Sequence, residues 1–109
     1  MVGDIYLAKI YFTSGENYKL RPILIIKQNS FGDVIYIPFT TNTQNQNAFT
    51  FTNNFLKEGE FKKQSYLIVD KTCTLQKNLL TKKIATIKNE ILKDVLNRYC
   101  GFLHNEKVE

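Results

Sequence analysis

The sequence predicts a mainly β protein with one helix: a small β-barrel with a C-terminal helix laid across it. Three observations carry that expectation. Two apolar, β-prone runs, Leu20 to Ile26 and Val34 to Thr41, flank the polar turn Lys27 to Asp33 and read as paired strands. Several further short β-prone runs surround them. Near the end, Ile91, Leu92, Val95, Leu96, Tyr99, Phe102 and Leu103 recur at helical spacing.

Taken in order, Asp4 to Phe12 reads as a first strand, with Tyr6, Ala8, Ile10 and Phe12 on one face and Ile5, Leu7, Lys9 and Tyr11 on the other. Both faces are largely apolar, as in a strand of a small barrel. Thr13 to Lys19 is rich in turn residues and breaks at Gly15. Ile23 to Ile26 are four consecutive apolar residues, which implies burial on both faces. Pro38 cannot donate to a ladder and marks an edge or a bulge. Asn42 to Asn47 reads as a loop, Ala48 to Thr52 as a weak strand and Asn53 to Gln64 as an exposed connection. Ser65 to Asp70 is a strong strand, extending toward Thr74 and Leu75. Asn78 to Lys82 suggests one helical turn before a short strand, Lys83 to Ile87. Asn89 is placed to cap the final helix, with Glu90 in its first turn.

A chain of 109 residues fits one domain, residues 1–109, with a single core. Its apolar fraction of 43% excludes a disordered chain. A formal net charge of +5 favours anionic partners, nucleic acid first. No apolar run is long enough for a membrane span, and the N-terminus has no signal-peptide pattern, so the cytoplasm is the expected compartment. Cys73 and Cys100 are then expected as free thiols. With His104 they do not match a zinc spacing, so no metal or other cofactor is expected.

The chemistry sits at the ends of the two central runs. Arg21 precedes the first, and Thr40 and Thr41 close the second. In an antiparallel pair these positions share one end of the sheet. A guanidinium fork and two hydroxyls on one rim suit a phosphate. Glu16 is the acidic residue nearest Arg21 along the chain.

Gly3-Asp4-Ile5-Tyr6, Glu16, Arg21-Pro22-Ile23-Leu24-Ile25-Ile26, Phe39-Thr40, Ser65-Tyr66-Leu67-Ile68-Val69-Asp70 and the amphipathic last helix, in that order, resemble the MazF/PemK family, the toxins of bacterial type II toxin–antitoxin pairs. The resemblance covers essentially the whole chain. It implies an SH3-like barrel, a homodimer, metal-independent and sequence-specific cleavage of single-stranded RNA, and inhibition by a cognate antitoxin. By position, Arg21 resembles the family's catalytic arginine, Thr40 its active-site threonine or serine, and Glu16 the acidic residue ahead of the Arg-Pro pair. Where many relatives carry Arg-Thr-Ile/Val-Asp, this chain has Cys73-Thr74-Leu75-Gln76.

The route implied by the resemblance has the 2′-OH attack the adjacent phosphorus. Arg21 suits stabilisation of the phosphorane, since its pKa above about 12 keeps it charged. Thr40 suits a hydrogen bond to a phosphate oxygen or the 2′-OH, and Glu16 is the candidate base. Tyr18, Lys19, Lys27, Thr41, Asn42 and Gln44 are candidate RNA contacts by stacking, charge and base edges. The Lys57, Lys62 and Lys63 cluster reads as a solvated face, and the helical stripe as core or dimer contact. The alternative function is a catalytically weak barrel that binds nucleic acid or an antitoxin, motivated by the departures at Cys73 and Gln76.

Overall fold

In the computed structural model, which describes residues 1–12, 15–42 and 48–105, the third strand is the hub. The strands are β1 (Asp4–Tyr11), β2 (Tyr18–Gln28), β3 (Asp33–Thr40), β4 (Ala48–Phe51), β5 (Leu56–Gly59), β6 (Ser65–Ile68), β7 (Cys73–Gln76) and β8 (Leu80–Ile87). One helix, α1 (Asn89–His104), follows, and two short 3-10 turns lie at Asn53–Phe55 and Lys77–Leu79. All pairings are antiparallel, in the order β4-β6-β3-β2-β1-β8-β5, and β7 pairs with β3 off this path. The sheet curls into a half-barrel with the helix over its inner face, as the sequence led us to expect.

Alternation along β1 to β3 divides the apolar residues between two faces. Ile5, Leu24, Ile26, Ile37 and Phe39 belong to the main core, joined by Phe51, Leu56, Leu67, Val69, Ala85, Ile87 and Val95. Ala8, Ile23 and Tyr36 form a second, smaller cluster, over which Tyr6, Ile10, Leu75 and Leu80 are half-buried. An aromatic group tightens the main core: Phe39 lies edge-on to Phe51 and Phe61, with ring centroids 5.2 and 5.0 Å away. Such contacts add roughly 0.5–1.5 kcal/mol to plain burial.

The helix spends its apolar stripe from Ile91 to Tyr99 inside the molecule. Val95 is fully buried, and Ile91, Leu92, Leu96 and Tyr99 pack on the core. The Tyr99 hydroxyl lies 3.0 Å from Thr72 Oγ1, fixing the helix to the turn between β6 and β7. Leu103 and Cys100 are exposed. The cap differs from expectation. Asn89 is the first helical residue, and Lys88 is the N-cap, with extended φ −65° and ψ 144° and no side-chain capping bond. The Lys88 carbonyl accepts from the N–H groups of Ile91 and Leu92 at 3.1 and 2.9 Å. Glu90 stands in the first turn as expected.

Four boundaries moved. β8 begins at Leu80, ahead of the expected Lys83, because the helical turn expected over Asn78 to Lys82 is a 3-10 turn that closes at Leu79. β2 begins at Tyr18, inside the expected loop, because Tyr11↔Tyr18 and Ile10↔Lys19 continue the β1–β2 ladder. The run from Ser65 to Leu75 is broken into β6 and β7, which pair with different parts of β3. β5 arises in the expected connection. Its Leu-Lys-Glu-Gly sequence has no strand pattern, and pairing with β8 supplies the reason for its form. Lys83 Nζ lies 3.0 Å from Glu58 Oε1 and 3.5 Å from Asp4 Oδ1, and Thr86 Oγ1 lies 3.0 Å from each of those acids. Lys83 and Thr86 hold the Glu58 carboxyl below its usual range.

Pro38 opposes Ile23 and is the last β3 residue in the β2 ladder. On the other edge it falls between the β7 partners, Asp33 to Tyr36, and the β6 partners, Phe39 and Thr40. A residue without an N–H fits that gap. Of the two readings, an edge or a bulge, no bulge falls at Pro38; the register shift of this strand pair lies in β2, between Ile25 and Lys27. Among the described residues no helix is long and apolar enough to cross a membrane, and both cysteines are free.

Candidate active site

The β2–β3 ladder ends at Ile23↔Pro38, and Arg21 and Thr40 stand just past that pair on the two neighbouring strands. Both line a groove of about 330 Å³ with Lys19, Leu20, Pro22, Phe39, Thr41, Lys63 and Ser65. β2 supplies Lys19 to Pro22. β3 supplies Phe39 and Thr40, and it reaches the third contributor, Ser65 at the head of β6, through the pair Thr40↔Tyr66.

The groove combines three cations with three hydroxyls. Among the described residues Lys19, Arg21 and Lys63 make no salt bridge, so their charge faces solvent un-neutralised. Thr40 Oγ1 accepts the backbone N–H of Asn42 at 3.1 Å. A hydroxyl has one proton and two lone pairs, so this bond leaves the Thr40 O–H free to donate. Ser65 is buried and donates to the Lys63 carbonyl at 3.3 Å. Phosphate oxygens are acceptors, and cations with hydroxyl donors match them.

The other candidates are distributed as follows. Thr41 and Lys19 line the groove, and Asn42 follows it directly. Tyr18 stands beyond its end, on the ribbon that β1 and β2 form. Glu16 lies on the ribbon's loop, exposed, outside the groove lining, and without a salt bridge among the described residues. Lys27 is near the opposite end of β2, opposite Ile35, and the structure does not bring it to the groove. Gln44 lies outside the described residues. Sequence reasoning missed Lys63 and Ser65. Lys63 was read as part of a solvated face, and only the β3–β6 pairing carries it to Arg21. The one local signal was a small polar residue, Ser65, heading an otherwise apolar strand.

Cys73 and Gln76 lie opposite Tyr36 and Asp33, in the other half of β3, and neither lines the groove. The Tyr36 hydroxyl is pushed up to about 12, first by burial and then by the charge and hydrogen bonding of Cys73. Among the described residues no three His, Cys, Asp or Glu side chains are grouped to hold a metal ion.

Fold and groove together define a small antiparallel half-barrel with a cationic, hydroxyl-lined rim. The chain belongs to the PemK-like, MazF-like toxin family of type II toxin–antitoxin systems, whose family model matches residues 1–103. Among solved structures it is similar to the toxin MazF-mt6 of Mycobacterium tuberculosis, with 18% identity over 96% of this chain and 99% of that one and a TM-score of 0.70. It is also similar to a chain of a MazE–MazF crystal structure from Deinococcus radiodurans, with 13% identity over 96% of each chain and a TM-score of 0.73. A mycobacterial endoribonuclease in complex with its cognate antitoxin matches at 15% identity, over 100% of this chain and 96% of that one, with a TM-score of 0.67. No curated protein matches the sequence.

Proposed function

We propose that this chain is the toxin of a type II pair and cleaves single-stranded RNA in the cytoplasm, at a specific sequence and without a metal ion. The observation that carries the reading is the meeting of Arg21 and Thr40, from neighbouring strands, in one groove with Lys19 and Lys63. The 2′-OH gives up its proton and its oxygen attacks the adjacent phosphorus, the bond to the 5′-oxygen breaks, and that oxygen takes a proton from water, leaving a 2′,3′-cyclic phosphate and a 5′-OH. Arg21 stabilises the phosphorane, where preorganised charge contributes most. Thr40 donates to a phosphate oxygen. No carboxylate lines the groove. The 2′-OH proton is assigned to Glu16, the acidic residue nearest Arg21 along the chain, which stands exposed on the neighbouring loop outside the groove lining.

The partners follow the same chemistry. An acidic antitoxin segment would cover the cations and compete with RNA, in keeping with the relatives crystallised with their antitoxins. We place the homodimer contact on the outer sheet face, where Tyr6, Ile10, Leu75 and Leu80 are half-buried, because the helical stripe is already used by the core.

The test is cleavage of a mixed single-stranded RNA pool in excess EDTA. The wild-type chain should cleave, and Arg21→Ala should lose on the order of 10²–10³-fold, the worth of one transition-state donor. Arg21 is exposed, so the variant should stay folded. A folded variant that cleaves as the wild type does would overturn the role. RNA binding without cleavage by the wild type would favour a pure binding module.

A further inference from the structure

Beyond the pairs Ile23↔Pro38 and Ala8↔Leu80, β1 and β2 lose their outer neighbours and continue alone. The two-stranded ribbon so formed runs through Lys9↔Leu20, Ile10↔Lys19 and Tyr11↔Tyr18. Among the described residues seven large hydrophobic side chains are exposed, and four of them, Tyr11, Phe12, Tyr18 and Leu20, are on this ribbon, at 46, 50, 47 and 48%. Apolar surface gathered in this way marks a binding surface, because scattered exposure needs no explanation and a concentrated patch does.

Alternation puts Lys9, Tyr11, Tyr18 and Leu20 on one face of the ribbon. There the Tyr11 and Tyr18 rings meet with centroids 5.4 Å apart and planes tilted by 54°. Lys9 Nζ stands 5.1 Å from the centre of the Tyr18 ring. The patch is continuous with the groove, since Leu20 lies beside Tyr18 and also lines the groove next to Arg21. Along β2 the step from Arg21 to Tyr18 is three residues, about 10 Å, within reach of a nucleotide neighbouring the one held at Arg21.

We propose that this ribbon face is a base-stacking platform: Tyr11 and Tyr18 receive an unpaired nucleobase flanking the phosphate held by Arg21 and Thr40. The inference rests on the RNA-cleaving reading above and adds Tyr11, Lys9 and Leu20 to its binding surface. The chemistry selects a nucleic acid strand over an apolar protein segment. The aromatic pair carries a cation on its own face, and Lys19 and Arg21 alternate onto the opposite face, so the platform is flanked by charges that a polyanion satisfies. Any base can stack, because every base has a π-face, so the platform contributes affinity and register while specificity is read elsewhere.

The experiment measures binding of a mixed-sequence single-stranded RNA oligonucleotide to the full chain carrying Arg21→Ala, which slows cleavage on the order of 10²–10³-fold, by fluorescence anisotropy. Adding Tyr11→Ala or Tyr18→Ala should weaken binding about 5- to 150-fold, the worth of one stacked base. Tyr11→Phe and Tyr18→Phe, which keep the ring, should bind within about twofold of the parent. With Arg21 intact, the alanine changes should act on KM more than on kcat. Folded alanine variants that bind as the parent does would overturn the platform while leaving cleavage at the groove standing. Alanine variants that lose only an acidic antitoxin peptide would overturn it in favour of a protein-binding surface. If the wild-type chain neither binds nor cleaves RNA, the functional reading itself fails and the platform falls with it.

Discussion

The backbone N–H of Asn42 donates to Thr40 Oγ1 at 3.1 Å, which occupies one lone pair and leaves the Thr40 O–H free to donate to a phosphate in the groove. Thr40→Val removes that donor and should lower cleavage about tenfold or more, the worth of one hydrogen bond to a charged group. Thr40→Ser keeps both bonds and should retain most activity. Initial rates on one RNA substrate decide it, and equal rates for the valine and serine variants would remove the donor role.

Lys19 and Lys63 reach the groove from different parts of the chain and carry no salt bridge among the described residues. If each neutralises one phosphate, affinity for single-stranded RNA should fall with salt at a log–log slope of about −0.7 per contact. Lys63→Ala should weaken binding and flatten the slope by about 0.7. Titrations at several salt concentrations test this, and an unchanged slope would remove Lys63 from the interface.

Leu96 packs on the core, whereas Leu80 is half-buried on the outer sheet face. Leu96→Asp should therefore destabilise the fold by burying an unpaired carboxylate. Leu80→Asp should leave a folded chain that no longer dimerises, and Lys93→Ala, on the polar face of the helix, should change neither. Sedimentation at tens of micromolar is the measurement, roughly the range where a specific interface holds. A wild-type chain that stays monomeric there and cleaves fully would overturn the dimer.

Gly59 has φ +84°, and a Cβ built on it would strike the Ile84 carbonyl and come within 2.6 Å of Ala85 Cα. Gly32 has a similar φ of +82° but open space around it. Gly59→Ala should cost about 2–4 kcal/mol, from strain and overpacking together. Gly32→Ala should cost only about 1 kcal/mol, and thermal melts separate the two at roughly 4–8 °C per kcal/mol.

Tyr36 is held protonated, pushed from 10.0 up to about 12 by burial and by Cys73. Because its folded value is the higher one, the folded state binds the proton more tightly between pH 10 and 12. The associated stability is fully present below pH 10 and is lost as the pH rises toward 12. Denaturant midpoints across that window should fall in the wild type and fall less in Tyr36→Phe.

The sequence by itself determined what contiguous residues encode. The β-prone runs, the polar turn between the two central ones and the 3.6-residue stripe of the helix are local periodicities, and each became an element. The Arg21–Thr40 rim was legible for the same reason: a short turn forces its two strands to be antiparallel neighbours, so the start of one meets the end of the other. Tertiary structure decided what depends on partners distant in the chain. Lys63 and Ser65 join the groove through β6, β5 exists because the β8 edge accepts it, and the helical stripe goes to the core because the half-barrel leaves an open inner face. The exposed platform of Tyr11 and Tyr18 was hidden for a related reason. Alternation gives the face of a residue, but only the ends of the neighbouring strands determine where a sheet stops being covered.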